Sequence, residues 1–170
     1  MFLQSNPNTK AFVLCVGSGI VTVTAVPNPG LLEAQLPQCW TLTGGSGTSK
    51  LVRTIDKRLA GSHTISCTCG RSHKAVTVHI VEVESLLPDC GIEVDDGDND
   101  LNTKRFFLFK ATSGNVTVTA TPNPVLPEDK LPDCWRLTGG TGAGRLTRTI
   151  TKTTPGTTVI TCTAGDSSKR

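Results

Sequence analysis

The sequence predicts an all-β protein made of two tandem copies of one disulfide-stapled β-sandwich module. Three observations lead to this prediction. Threonine, valine and isoleucine alternate in short runs, and such β-branched residues fit the half-buried surface of a pleated sheet. Glycine, proline and asparagine punctuate these runs at regular intervals. Much of the sequence also repeats once, at a spacing that suits a whole small domain.

The repeat is ungapped. Shifting the sequence by 95 positions aligns Val21–Lys74 with Val116–Lys169, and 31 of the 54 aligned residues are identical. We call these two segments repeat 1 and repeat 2. A unit of this length is a domain placed in tandem, not one turn of a solenoid. The sequence therefore predicts two domains, residues 1–88 and residues 89–170.

Each copy is predicted to contain short strands separated by turns. The matching strands of the two copies are Phe12–Val16 and Phe106–Lys110, Ile20–Ala25 and Val116–Ala120, Cys39–Thr43 and Cys134–Thr138, Lys50–Ile55 and Arg145–Ile150, and Thr64–Thr68 and Val159–Thr163. The first copy continues into a long strand, Ala75–Glu84. Both copies carry a Pro-Asn-Pro segment, and we expect it to begin a long connection, because proline cannot occupy a central strand.

Six or seven strands per copy at regular spacing are typical of an immunoglobulin-like sandwich. With its Cys-Trp…Cys placement, the pattern resembles the bacterial immunoglobulin-like (Big-type) domains found in tandem arrays on cell-surface proteins. The resemblance covers nearly the whole chain. It implies an extracellular or cell-surface spacer, stalk or adhesin, with neighbouring repeats or identical subunits as partners, and it implies no active site. One departure is that Cys39 and Cys134 directly precede Trp40 and Trp135, so the disulfide need not bridge two sheets.

Seven cysteines in a small chain indicate an oxidising compartment. The start of the sequence has no secretory signal, so we expect a mature product or a piece of a longer exported protein. Cys39 with Cys67 and Cys134 with Cys162 occupy equivalent positions, and we expect one disulfide per copy. Buried free thiols are the alternative, and a zinc site is disfavoured because the Cys-x-x-Cys spacing is missing.

Three further cysteines, Cys15, Cys69 and Cys90, have no counterparts in the second copy. At least one of them is expected to be free or to cross-link chains. Cys69 is interpreted as a small core residue, and Cys15 is expected to face outward.

The two tryptophans lie at the same place in both repeats. We interpret each as the large core residue of its domain, facing the same way as Leu42 or Leu137. The alternative is a sugar-stacking platform, which requires an exposed Trp40 or Trp135 and would make the chain a glycan-binding module.

An acidic cluster separates the two copies, and its members are Asp95, Asp96, Asp98, Asn99 and Asp100, preceded by Glu93. Side-chain oxygens around a glycine turn are the ligands that Ca²⁺ prefers, and Glu82 and Glu84 lie near enough in sequence to contribute. One hypothesis is a calcium-stiffened junction between the domains. The alternative is an ordinary solvated acidic loop.

Enzymatic chemistry is not indicated. The three histidines are confined to the first copy, and the glycine-rich segments match no nucleophile or phosphate-binding motif. The small net charge of +3 does not favour nucleic acid, and no apolar run reaches the length of a membrane helix. No catalytic residue and no organic cofactor is predicted.

The alignment also predicts that copy 2 lacks the strand matching Ala75–Glu84. Either the sequence belongs to a longer array, or a neighbouring molecule donates the strand, as in a fibre. The expected function is therefore a non-enzymatic extracellular spacer, stalk or adhesin repeat. The alternatives are a filament subunit that forms a homopolymer by strand donation, and the glycan-binding module.

Overall fold

The computed structural model describes residues 6–95, 97 and 100–170. These residues form an all-β protein whose helical segments are two short 3₁₀ helices, Glu33–Gln35 and Glu128–Lys130. The strands of the first half are β1 Thr9–Cys15, β2 Ile20–Thr24, β3 Thr41–Thr43, β4 Val52–Asp56, β5 Gly61–Cys69 and β6 Ser72–Pro88. Those of the second half are β7 Ile92–Val94, β8 Arg105–Phe107, β9 Asn115–Asn123, β10 Trp135–Thr138, β11 Thr147–Thr151, β12 Thr161–Ala164 and β13 Ser167–Lys169.

The largest sheet crosses from one half of the chain to the other. Its order is β11-β9-β6-β5-β3, and β1 runs parallel to the first part of β6. Three smaller sheets are β10-β12-β13, β2-β4 and β7-β8. All pairings except β1 with β6 are antiparallel, and the arrangement is consistent with a β-sandwich. The described part of the chain contains no helix long and apolar enough to cross a membrane.

The two repeats fold alike over their aligned strands. Leu42 pairs with Cys67 between β3 and β5, and Leu137 pairs with Cys162 at the same place between β10 and β12. Gly44, which follows β3, corresponds to Gly139, which follows β10. A side chain at Gly44 would put a Cβ 2.1 Å from the carbonyl oxygen of Thr64, so only glycine allows this turn to approach β5.

β6 separates two hydrophobic cores. Neighbouring residues of a strand point to opposite faces, and Val78 and Ile80 lie in the first core while Val81 and Val83 lie in the second. All four side chains are at most 2% exposed. Burial on both faces explains why this strand is apolar at consecutive positions.

β1 lies beside β6 and has the same two-sided character. Leu14 packs against the first core, whereas Val13 and Cys15 belong to the second. β1 and β6 thus form a wall that both cores share. We refer to these two strands as the shared wall.

The second half of β6 pairs with repeat 2. Residues 82–88 are antiparallel to β9, with a bulge between Val83 and Ser85. Pro122 lies within β9 opposite Val83, so the expectation that the connection begins at this proline is wrong for repeat 2. The irregular pairing beside the bulge tolerates a residue that has no N–H to donate.

The shared wall predicts that both halves unfold together. Trp40 lies in the first half and Trp135 in the second. The fluorescence of a Trp135→Phe protein therefore reports the first half, and that of a Trp40→Phe protein reports the second half. We expect the fluorescence transition of each protein to coincide in urea with the far-UV transition of the same protein, because either core loses its wall when the other unfolds. A fluorescence transition well separated from the far-UV transition in either protein would show that the halves are independent.

Candidate functional site

The most distinctive feature of the structure is a covalent link between the shared wall and repeat 2. Cys15 at the end of β1 forms a disulfide with Cys134, which directly precedes β10, and their Cα atoms are 6.2 Å apart. The two cysteines are 119 residues apart in sequence. Closing a loop of this length stabilises a protein by about 5 kcal/mol in the chain-entropy model.

This pairing replaces the predicted disulfide between Cys134 and Cys162. Cys162 is a free thiol, completely buried opposite Leu137, and burial raises its pKa to about 12. Cys134 instead lies beside the end of β1. The expectation that Cys15 faces outward is also wrong, since Cys15 is only 7% exposed and belongs to the second core.

The predicted pairing of Cys39 with Cys67 is likewise not formed, and both cysteines are free in the structure. Cys67 is half-buried opposite Leu42. The Cys69 thiol instead forms a hydrogen bond with the Cys39 thiol, which raises the pKa of Cys69. Thr41 pairs with Thr68, so Cys39 and Cys69 lie at adjoining ends of β3 and β5.

Hydrogen bonds reinforce the junction around the disulfide. The Asp166 backbone N–H donates to the carbonyl oxygen of Val16, at 3.1 Å. The Val83 N–H donates to Ser167 Oγ at 3.0 Å. A Cβ on Gly165 would lie 2.0 Å from the Val16 carbonyl oxygen, so the turn between β12 and β13 can approach β1 this closely only with glycine.

Each tryptophan is anchored by its indole nitrogen. Trp40 Nε1 donates to the carbonyl oxygen of Lys50, and Trp135 Nε1 donates to that of Arg145, both at 2.7 Å. Trp135 is 2% exposed, as expected of a core residue, whereas Trp40 is only partly buried. Both indoles make the same hydrogen bond, so the difference in exposure between the two tryptophans comes from the residues that pack over them.

A partly buried arginine, Arg53 in repeat 1 and Arg148 in repeat 2, holds the glycine turn by hydrogen bonds. Arg53 donates to the carbonyl oxygens of Leu42 and Ser49, each at 2.8 Å, and to that of Gly47. Arg148 donates in the same way to Leu137 and Gly142. A guanidinium holds several carbonyl groups at once, which gives the arginine of the shared Leu-x-Arg-Thr-Ile motif a structural role in both repeats.

The acidic cluster lies only partly within the described residues. Asp96, Asp98 and Asn99 lie outside them. Asp95 accepts a hydrogen bond from the Gly97 N–H at 3.0 Å. Asp100 accepts bonds from Thr103 Oγ1 at 2.7 Å and the Asn102 N–H at 2.9 Å, and these lower its pKa.

The neighbouring carboxylates already have partners. Glu82 accepts a hydrogen bond from Asn123 Nδ2 at 3.0 Å, and Glu93 forms an ion pair with Lys104 at 2.9 Å. Within the described ranges, no three His, Cys, Asp or Glu side chains are grouped as metal ligands. The calcium hypothesis therefore stays a prediction that rests mainly on the residues outside those ranges.

The histidines make local contacts. His79 Nδ1 lies 2.8 Å from Ser62 Oγ, and His63 Nε2 lies 2.9 Å from the carbonyl oxygen of Leu59. Neither contact joins a nucleophile, a base and an orienting carboxylate, the arrangement that hydrolytic triads use.

By analogy with β1 and β6, the strand that copy 2 is predicted to lack would lie beside β8, which pairs with β7 in the structure. The backbone of Arg170 pairs with that of Asn102 and Lys104, at 2.7 and 2.8 Å. Phe107, the last residue of β8, and Phe109, two residues later, are 67% and 76% exposed. In copy 1 the matching residues, Phe12 and Leu14, lie on β1, which is paired with β6.

Comparison with known proteins found no matching family model, no matching curated protein and no matching solved structure. The resemblance to bacterial immunoglobulin-like repeats therefore stays a prediction.

Loss of the disulfide is expected to destabilise the whole protein. In Cys134→Ser we expect the free energy of unfolding to fall by about 2–5 kcal/mol, because the unfolded chain regains the freedom of the 119-residue loop. The control is Cys90→Ser, since Cys90 is an exposed free thiol, and its stability should match that of the parent protein. Equal stability of oxidised Cys134→Ser and the parent in urea would contradict the assignment.

Oxidation of the remaining thiols is expected to join Cys39 to Cys69. With oxidised glutathione, the two thiols give up two electrons and two protons and form a disulfide, and the oxidant becomes two molecules of reduced glutathione. Peptide mapping should find the Cys39–Cys69 bond in the parent protein and in Cys67→Ser. In Cys69→Ala, which copies Ala164 of repeat 2, Cys39 should gain no protein partner. A Cys39–Cys67 bond in the parent protein would restore the pairing expected from sequence.

Proposed function

We propose that the chain is a non-enzymatic structural module that acts as a stiff spacer in an extracellular or cell-surface protein. In this proposal the two copies are immunoglobulin-like domains fused end to end. The observation that carries it is the shared wall, closed by the Cys15–Cys134 disulfide.

A spacer must hold its ends at a fixed distance. Domains joined by ordinary polar linkers move relative to each other, because few contacts cross the boundary. Here the connection is β6 itself, a strand of 17 residues that spans on the order of 50 Å. A bend at its middle would separate Ile80 from the first core or Val81 from the second.

The disulfide supports the same role in two ways. Disulfides persist in oxidising compartments, which agrees with an extracellular location. This disulfide also limits extension under force. When the ends of the chain are pulled, the force passes through the sulfur–sulfur bond, so the residues between the two cysteines are not extended.

A fibre subunit is the second candidate. It is favoured by the exposed Phe107 and Phe109 beside the edge of β8, where a strand from a neighbouring molecule would find an apolar surface. A glycan platform is less well supported, because Trp135 is buried.

Force spectroscopy tests the spacer. Pulled by its ends, the oxidised protein should lengthen by only about 51 residues, or roughly 180 Å, since the disulfide spans 119 of the 170 residues. Cys134→Ser should lengthen by roughly 600 Å, and Cys90→Ser should behave like the parent. A low-force event that separates the two halves before either unfolds, or full-length extension of the oxidised parent, would contradict the proposal.

A further inference from the structure

Equivalent residues of the two repeats differ in burial although their identities are the same. Val116 and Ala120 of β9 are 0% and 1% exposed, and Trp135 is 2% exposed. Their counterparts Val21, Ala25 and Trp40 are only partly buried. The side chains are identical in each pair, so the difference comes from the segment that covers them.

In repeat 2 the cover is the shared wall. Val81, Val83 and Leu86 of β6 pack into the core that contains Trp135, and Leu86 pairs with Ala120 across the backbone ladder. The bonds between β6 and β9 complete the second edge of β9, whose other edge pairs with β11. β9 is thus a central strand.

In repeat 1, no described strand packs over the face that contains Trp40. β2, the counterpart of β9, pairs there only with β4. Ile20, which begins β2, and Val26, two residues beyond its end, are 63% and 81% exposed. Val21, Val23 and Ala25 pack against the first core but are only partly buried, as is Trp40, so the unpaired edge of β2 leaves part of this apolar surface open.

The glycine turns show the same contrast. Gly165 contacts β1 so closely that a Cβ would lie 3.0 Å from the Cβ of Cys15. Gly70 has nearly the same backbone angle, with φ of 57° against 62°, yet no atom of the described residues lies within 4 Å of its Cβ position. The surface that receives the shared wall in repeat 2 is therefore present in repeat 1, but no described segment covers it there.

We propose that this open face of repeat 1, formed by Val21, Val23, Ala25 and Trp40, is a docking surface for the closing strand of a preceding repeat of the same kind. The occupant is an extended segment with the pattern of Val81–Pro88, antiparallel to β2. The proposal rests on the proposed function, since it describes how one such module joins the next.

Polar groups at the rim fit an acidic strand. Asn123 donates its amide to Glu82 in repeat 2, and Asn28, the matching residue of repeat 1, is exposed. Arg71 stands in repeat 1 where Asp166 stands in repeat 2. A donor strand with a glutamate at the position of Glu82 would therefore meet an amide and a cation in repeat 1, whereas Glu82 in repeat 2 lines a cavity together with the Asp166 carboxylate.

Fusing a copy of Val81–Asp95 directly before Met1 tests the proposal, because it reproduces the 95-residue spacing of the repeat. The copied Cys90 is changed to serine so that no new thiol is added. A matched control extension also carries serine at the copied Val83 and Leu86, which removes the inward-facing side chains while keeping the length and charge. Both extensions are made in the Trp135→Phe protein, so that fluorescence reports Trp40 alone.

Docking should lower acrylamide quenching of Trp40 to the level of Trp135 in the Trp40→Phe protein. It should also raise the melting temperature above that of the control extension. Equal quenching and equal melting temperature for the two extensions would overturn the proposal. Protection of Trp40 in the unextended chain that grows with concentration, together with a dimer in sedimentation, would assign the face to a second copy and overturn it as well.

The extension experiment and the force experiment can give opposite results, because they probe different parts of the protein. The force experiment probes the junction between repeats 1 and 2 in the unextended chain. The extension probes only the opposite face of repeat 1. An extension that fails to dock on a chain whose halves stay joined under force would overturn the docking surface and leave the spacer intact.

Discussion

The alternation of side chains along β6 is the constraint on which the rest of the structure depends. A single strand fills two cores because Val78 and Ile80 point one way and Val81 and Val83 the other. A slip of one residue in its register would exchange the two sets. The parallel partner β1 and the Cys15–Cys134 disulfide hold that register, since Cys15 lies opposite Val81.

The shared wall also gives two similar repeats unequal surroundings. Repeat 2 receives the wall on its Trp135 face, whereas the matching face of repeat 1 is open. The cysteines follow the same asymmetry: Cys134 finds Cys15, while Cys39 contacts Cys69, a residue replaced by alanine in repeat 2. The residues that differ between the repeats, such as Cys69 and Ala164, therefore lie where the surroundings of the two repeats differ.

Most strands of each repeat could be predicted from the sequence, because they depend on alternation and turn residues that lie within one copy, whereas the short strands β7 and β13 were not predicted. The disulfide could not, because its formation depends on how one copy packs against the other. Two signals of that packing were present. Ile80 and Val81 are adjacent apolar residues within an alternating strand, and Phe12–Val16 is apolar throughout, which indicates strands buried on both faces. Cys15, without a counterpart in copy 2, marked the site of the junction.

Native-state hydrogen exchange along β6 shows whether this one strand closes both cores. A strand that closes both cores exchanges its amide protons only when the whole protein unfolds. We expect one uniform free energy of opening from Val78 to Val83, equal to the free energy of global unfolding. A step in that free energy between Ile80 and Val81, with the residues on one side exchanging through a local opening of lower free energy, would show that the two cores fold separately and that β6 is not shared between them.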